Sequence, residues 1–114
     1  MREKRILQMS TKGHVNVALM SVHGAVEQFL FWANEPKSPT ANPAQELKRR
    51  REEMSSSIHL LKTVKTGDLS EREQELVRGV CALLAEFDPM CAEVPEWLAM
   101  LAAISDVRIE FSAG

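Results

Sequence analysis

Apolar residues recur at intervals of three and four along residues 14–34, and this spacing constrains the fold more than any other feature of the chain. At about 100° per residue, seven of them fall on one face of a single helix. They are Val15, Leu19, Val22, Val26, Phe29, Leu30 and Ala33. The chain has no tyrosine and little alternation of β-branched residues, which disfavours strands. The sequence therefore predicts an all-α fold, a small bundle of about four helices.

A proline-rich connector, residues 35–43, interrupts the helical pattern after the first helix. Proline lacks a backbone donor and biases the preceding residue away from the α region. Pro43 itself suits the first turn of a second helix, which is predicted over Ala44–Thr66. Gly67 is predicted to end that helix in the left-handed conformation.

The third helix has the clearest local signal in the chain. Ser70 and Glu73 stand in the spacing of a capping box, in which each side chain accepts a hydrogen bond from the other's amide. This helix is predicted to reach about Phe87, and a last one to run from Pro95 to about Arg108. The residues that the third helix is expected to bury are Leu76, Val80, Leu83, Leu84 and Phe87.

Two shorter features are also predicted near the end of the chain. Asp88 and Pro89 read as a helix cap followed by a first helical position, so a short turn of helix is expected there. A strand over 108–111 is a minor alternative to a longer last helix.

Length and charge exclude several classes of protein. With 114 residues the chain forms one domain, 1–114, with residues 1–13 as an N-terminal tail. Fourteen Lys and Arg against 16 Asp and Glu exclude binding driven by bulk charge. The longest apolar run, Trp97 to Ile104, is far shorter than the roughly 18 residues of a membrane span. We expect a cytoplasmic protein with reduced thiols.

Signals of enzyme chemistry are absent from the sequence. It contains no glycine-rich phosphate loop and no nucleophile elbow. The three histidines are scattered, and Cys81 and Cys91 have no metal-ligand spacing. We therefore expect no enzyme activity, no metal and no cofactor, and interpret the cysteines as small packed side chains.

The basic run Lys48–Arg51 raises the alternative of a nucleic-acid-binding protein. Acidic residues at positions 46, 52 and 53 lie four residues from members of this run, so ion pairs on one helix surface are predicted. Such pairs cancel the local field that binding to phosphates would need, which favours a solvated face or the rim of an interface.

The first helix carries a second apolar stripe opposite the first. It consists of Val17, Met20, Gly24 and Phe31, with Trp32 between the two stripes. A helix packed on one core needs only one stripe, so the second predicts another apolar neighbour. Because a glycine in mid-helix costs about 1 kcal/mol relative to alanine, Gly24 predicts a close helix–helix approach.

Two further segments carry apolar residues that can pack in a core or bind a partner. The last helix has no polar side from Trp97 to Ile104, so it is either a central core helix or a shared one. The second helix carries a narrow seam with arginines at its margin. The residues proposed to bind protein, by self-association or to a partner, are Met20, Phe31, Trp32, Leu47, Arg50, Arg51, Met54, Ile58 and Leu61.

The chain as a whole, and above all the segment from Val22 to Trp32 with the proline-rich connector after it, resembles the quorum-sensing antiactivators of pseudomonads. The resemblance implies a small helical homodimer without catalytic or cofactor residues. It implies binding to the ligand-binding domain of a LuxR-type transcription factor that responds to acyl-homoserine lactones (LasR), which blocks dimerisation and DNA binding by that factor. A chaperone-like interaction protein is a further alternative.

Overall fold

The computed structural model describes residues 10–35 and 42–112, and over these ranges the chain forms four helices and no strand. The helices are α1 (Thr11–Asn34), α2 (Pro43–Thr63), α3 (Glu71–Glu86) and α4 (Val94–Ser112). This confirms the predicted all-α bundle. Most of the predicted tail, 1–13, and of the predicted connector, 35–43, lies outside the described residues.

Side-chain caps fix where the first two helices begin. The Ser10 hydroxyl accepts a hydrogen bond from the Gly13 amide at 3.0 Å, so α1 begins three residues before its predicted start at 14. Asn42 caps α2 by accepting from the Gln45 amide at 3.2 Å. Pro43 occupies the first turn of α2, as predicted, because an amide there would have no partner within the helix.

The end of α2 differs from the prediction. The helix stops at Thr63 instead of Thr66, and none of the described glycines has a positive φ, so the left-handed role assigned to Gly67 is wrong. The link to α3 is held by the Gln74 side chain instead. Its amide donates to the carbonyls of Thr66 and Leu69 at 3.0 and 3.1 Å. These hydrogen bonds hold the link between α2 and α3, beyond the last turn of α2.

The capping box of α3 is confirmed. The Ser70 hydroxyl accepts from the Glu73 amide at 3.1 Å, and the Glu73 carboxylate accepts from the Ser70 amide at 2.9 Å. The same carboxylate forms an ion pair of 3.0 Å with Lys12, which ties the start of α3 to the first turn of α1.

The chain between α3 and α4 makes one hydrogen-bonded turn at the predicted place. The Asp88 carboxylate accepts from the Met90 amide at 2.9 Å, and the Asp88 carbonyl accepts from the Cys91 amide at 3.1 Å. α4 then continues four residues past Arg108, so a strand over 108–111 is excluded. The buried spacing of this helix extends to Phe111, and burial of that ring favours the longer helix.

The core lies where α1 packs between α2 and α4, while α3 packs mainly on α4. Six of the seven residues predicted for the inner face of α1 are buried, and only Ala33 is exposed. On α3, Val80 and Leu84 are buried as predicted, whereas Leu83 is 48% exposed and Val77 is buried in its place. The core face predicted for α3 was therefore wrong by a rotation about the helix axis, which placed Leu83 inside instead of Val77.

Candidate protein-binding surfaces

The second stripe of α1 faces away from the core, as its helical position predicted. Val17, Met20 and Phe31 are 47%, 49% and 52% exposed, although each is next to one buried residue in the sequence. We call these three residues and Gly24 the outer α1 stripe. It forms an apolar strip on a helix whose inner face is already packed.

Gly24, in the middle of this stripe, is not packed against any other described part of the chain. A Cβ built at this position meets no atom within 4 Å, so the close approach of a second helix that its presence predicted is not made by another part of the described chain. Its φ is not positive either, so the backbone does not require glycine. The cost of glycine in mid-helix has no intramolecular compensation here.

A shallow trough runs beside the outer α1 stripe, between α1 and α2. The Ser21 and Ser57 hydroxyls share a hydrogen bond of 3.0 Å across it. Its lining consists of Met20, Ser21, Gly24, Ala25, Gln28, Arg49, Glu52, Glu53, Ser56 and Ser57.

The apolar seam of α2 belongs to the core and not to a free surface. Met54 and Leu61 are 5% and 1% exposed, and Leu47 and Ile58 are half-buried against the same core. The proposal that the seam as a whole receives a partner is therefore corrected. The seam packs inward because α2 lies along α1, a contact that the sequence of α2 alone does not specify.

Two of the four residues of the basic run on α2 form ion pairs with glutamates of the same helix. Arg49 pairs with Glu46 at 2.6 Å and with Glu53 at 3.1 Å, and Arg50 pairs with Glu46 at 3.1 Å. The hydrogen bond from Arg49 lowers the pKa of the Glu46 carboxyl, which keeps that group charged. Arg50 is largely buried by these contacts, whereas Arg51 is exposed.

The last helix has one buried and one exposed side, so it is not wrapped on all sides. Trp97, Met100 and Ile104 are buried. On the outer side, Val94, Leu98 and Ile109 are 45%, 54% and 64% exposed and fall within about 60° of one another. We call these three residues the outer α4 stripe.

Sequence reasoning missed two members of the outer α4 stripe. Ile109 lies beyond the predicted end of the last helix, and Val94 lies before its predicted start. Their spacing could have revealed them. Val94 lies four residues before Leu98 and Ile109 lies eleven after it, and both intervals keep side chains on one face of a helix.

Trp32 occupies the end of the bundle and is half-buried. Its ring packs edge-on against Phe29, with centroids 6.1 Å apart. Together with Leu47, Met90 and Val94 it borders an open apolar groove at the C-terminal end of α1. The predicted position of Trp32 between the two stripes of α1 is consistent with this partial burial.

The cysteines are free thiols in two settings. Cys81 is half-buried on α3, and burial raises its pKa. Cys91 is exposed, and its hydrogen bond to the Asp88 carboxylate raises its pKa. Both groups are therefore held in the protonated form, which is the less nucleophilic one.

Residues 10–35 and 42–112 provide neither a metal cluster nor a membrane-spanning helix. No three acidic, histidine or cysteine side chains there come close enough together to hold a metal ion. Among these residues we also find no helix with the length and apolar character required to cross a bilayer.

Neither protein-family models nor curated proteins nor solved structures give a match to this chain. The fold and the two outer stripes define a small helical bundle with apolar surface left over after its core is formed.

Proposed function

We propose that this protein is a cytoplasmic, non-enzymatic antiactivator of quorum sensing that works by binding another protein. It forms a homodimer and binds the ligand-binding domain of a LuxR-type regulator such as LasR, covering the surface through which that regulator dimerises. The regulator then no longer holds its DNA site. The proposal joins the resemblance of residues 22–32 and the connector to what the surfaces of the bundle can do.

The observation that carries the proposal is the presence of two exposed apolar stripes on helices whose inner faces are already buried. The outer α1 stripe and the outer α4 stripe each place about half of every large side chain in water. A protein that competes for a dimer interface must present apolar area similar to what it displaces, because association has to overcome several kcal/mol of lost freedom. One stripe serves the homodimer and the other serves the regulator.

The charge pattern supports a protein partner over nucleic acid. Arg49 and Arg50 are paired with glutamates one turn away on α2, so the positive charge that the basic run offers to phosphates is about halved. An apolar protein interface changes little with salt, whereas binding to phosphates weakens steeply as salt rises.

The test uses the full chain and a purified regulator ligand-binding domain loaded with its acyl-homoserine lactone. We expect one complex by size-exclusion chromatography with light scattering, and an affinity that changes less than about threefold between low and moderate salt. A chain that leaves the domain dimeric and unbound at micromolar concentrations contradicts the proposed function. Steep salt dependence with DNA as the ligand favours the nucleic-acid alternative instead.

Charge reversal on each stripe then assigns the two surfaces. Phe31→Glu and Leu98→Glu each place a carboxylate on one stripe, and Ala82→Glu, on the exposed side of α3, is the matched control. We expect one stripe variant to lose the homodimer and the other to lose the regulator, with the helix content of all three unchanged by circular dichroism. If both stripe variants behave like the control, neither stripe is a binding surface.

A further inference from the structure

We infer that Arg108, together with the outer α4 stripe beside it, forms a surface that binds a partner protein, and that Arg108 forms an ion pair there with an aspartate or glutamate side chain of that partner. The inference rests on the proposed function and deepens it. It assigns the outer α4 stripe to the regulator and states which charged group the regulator has to present.

The first argument is that Arg108 has no counter-charge in the part of the chain that the structure describes. Its side chain is half-buried, and its Nε atom is buried without a hydrogen-bond partner. The guanidinium stays charged in proteins and carries five N–H donors, none of which meets an acceptor among these residues. A charge that is partly removed from water without a partner costs free energy.

The other arginines of the described chain are in different settings. Arg51 and Arg78 also form no ion pair with a described residue, but both are exposed, so water solvates their charge. The remaining described arginines pair with glutamates. Among the arginines that the structure describes, Arg108 alone is both unpaired and partly buried.

The antiparallel course of α1 and α4 fixes what lies opposite Arg108. Phe29, near the end of α1, packs on Trp97, near the start of α4. The start of α1 and the end of α4 both form ion pairs with the first turn of α3. Arg108 follows Trp97 by 11 residues, so it lies opposite α1 about 11 residues before Phe29, near position 18.

Neither α4 nor this part of α1 has an acidic residue placed to pair with Arg108. Asp106 and Glu110 are close in sequence but lie about 160° away from Arg108 around the helix, and Glu110 pairs with Arg72 at 3.2 Å. α1 has no acidic residue before Glu27, which is roughly 14 Å along the helix from the level of Arg108. The counter-charge is therefore expected from another molecule.

A second unpartnered atom lies at the same level of the interface between α1 and α4. The Oδ1 atom of Asn16 is buried and has no hydrogen-bond partner. Asn16 is two residues from the position opposite Arg108, or about 3 Å along α1. Buried polar atoms without partners are rare in folded proteins, so two at one level mark a place that another molecule completes.

The apolar surroundings of Arg108 indicate that a protein carries the carboxylate. The outer α4 stripe lies about 40–100° from Arg108 around the helix, and its member Ile109 is the next residue. A free anion has no use for such a stripe, whereas an acidic side chain of a protein brings apolar neighbours that cover it. Arginine is enriched among the residues that dominate protein interfaces, and an ion pair covered in this way is screened little by salt.

A pair of charge-removing variants tests the inference. Arg108→Met removes the charge and keeps an unbranched side chain, and Arg78→Met removes an exposed, unpaired charge as the matched control. Binding to the regulator's ligand-binding domain is measured by isothermal titration calorimetry. We expect at least tenfold weaker binding by Arg108→Met, and binding by Arg78→Met within twofold of the unmodified chain. A smaller loss for Arg108→Met, or equal losses from the two variants, overturns the inference.

A charge swap then identifies the group that Arg108 receives. Acidic surface residues of the ligand-binding domain are changed to arginine one at a time, and each variant is tested against Arg108→Glu. We expect one domain variant to bind Arg108→Glu at least tenfold more tightly than the unmodified domain does. If no variant restores binding, Arg108 does not pair with a carboxylate of the partner and the inference is wrong.

Thermal unfolding of the isolated chain distinguishes a binding role from a merely structural one. Because Arg108 has no partner in the described chain, Arg108→Met should unfold at the same temperature as the unmodified chain or at a higher one. A lower unfolding temperature would mean that the guanidinium is satisfied within the chain, which overturns the inference.

The same measurements separate this inference from the proposed function. If the unmodified chain binds the domain and Arg108→Met binds equally well, the inference is wrong and the antiactivator proposal stands. If the unmodified chain does not bind the domain at all, the antiactivator proposal is wrong, and the assignment of this surface to the regulator fails with it.

Discussion

Phe29 and Trp97 hold α1 and α4 together at one end of the bundle, with ring centroids 5.3 Å apart and ring planes inclined by 50°. Trp97 also packs edge-on against Phe87 at 4.9 Å, so one ring joins α4 to α1 and to the end of α3. Offset and edge-on contacts of this kind add to the apolar burial of the rings. Trp97 therefore packs against aromatic rings from two other parts of the bundle.

Replacing Trp97 with alanine should lower the free energy of unfolding by about 3–5 kcal/mol, because it removes a buried ring and leaves a cavity among three elements. Urea denaturation followed by circular dichroism measures the change. Trp32→Ala is the control, and it should cost clearly less because Trp32 is only half-buried. Equal losses from the two variants would mean that the contacts of Trp97 add little.

Loss of the capping box at the start of α3 should lower the free energy of unfolding by less than loss of the Trp97 ring. Ser70→Ala removes the acceptor of the Glu73 amide and should lower the free energy of unfolding by about 1 kcal/mol. Ser55→Ala, at an exposed position inside α2, removes a hydroxyl without a capping role and should change stability by less than about 0.5 kcal/mol. Similar values for the two variants would exclude a stabilising cap.

Glu73 should make the stability of the protein depend on pH. Hydrogen bonds from the Ser70 amide and from Lys12 lower the pKa of its carboxyl below the ordinary value of 4.5. A lowered folded pKa gives stability that is present above the unfolded value and is lost as pH falls through the folded one. The stability advantage of the unmodified chain over Glu73→Gln should thus be full near neutral pH and shrink below about pH 4.

Thermal unfolding at a series of pH values checks this expectation. In a Lys12→Met background, the stability that Glu73 adds over Glu73→Gln should be smaller. It should not vanish, since the Ser70 amide still donates to the carboxylate. A stability advantage over Glu73→Gln that grows as pH falls would contradict a lowered pKa of the Glu73 carboxyl in the folded state.

The glycine of α3 offers a test of helix propensity without tertiary contacts. Gly79→Ala should raise the free energy of unfolding by about 1 kcal/mol, because a Cβ at this position meets open space and alanine is the better helix former. The measurement is urea denaturation at a concentration low enough to keep the chain monomeric. A loss of stability would mean that position 79 is more crowded than the structure describes.

Features set by residues close together in sequence were predictable. The capping box of Ser70 and Glu73 and the position of Pro43 at the start of α2 follow from hydrogen bonds within a single helical turn. The link after α2 was not, since it is held by Gln74, which reaches back from α3 to the carbonyls of Thr66 and Leu69. The same limit applies to α3, where Val77 and not Leu83 faces the core because α4 packs on that side.

The sequence by itself determined that this chain is helical and that α1 has two apolar sides, because helix periodicity and caps depend on neighbours along one helix. Only the tertiary structure decided which of those sides is covered. Packing of α2 along α1 turned the seam of Met54 and Leu61 into core, while packing of α4 left Leu98 in water. An apolar side chain gains free energy from any apolar neighbour, so its identity does not reveal which neighbour covers it. That choice was fixed by how the four helices share one core.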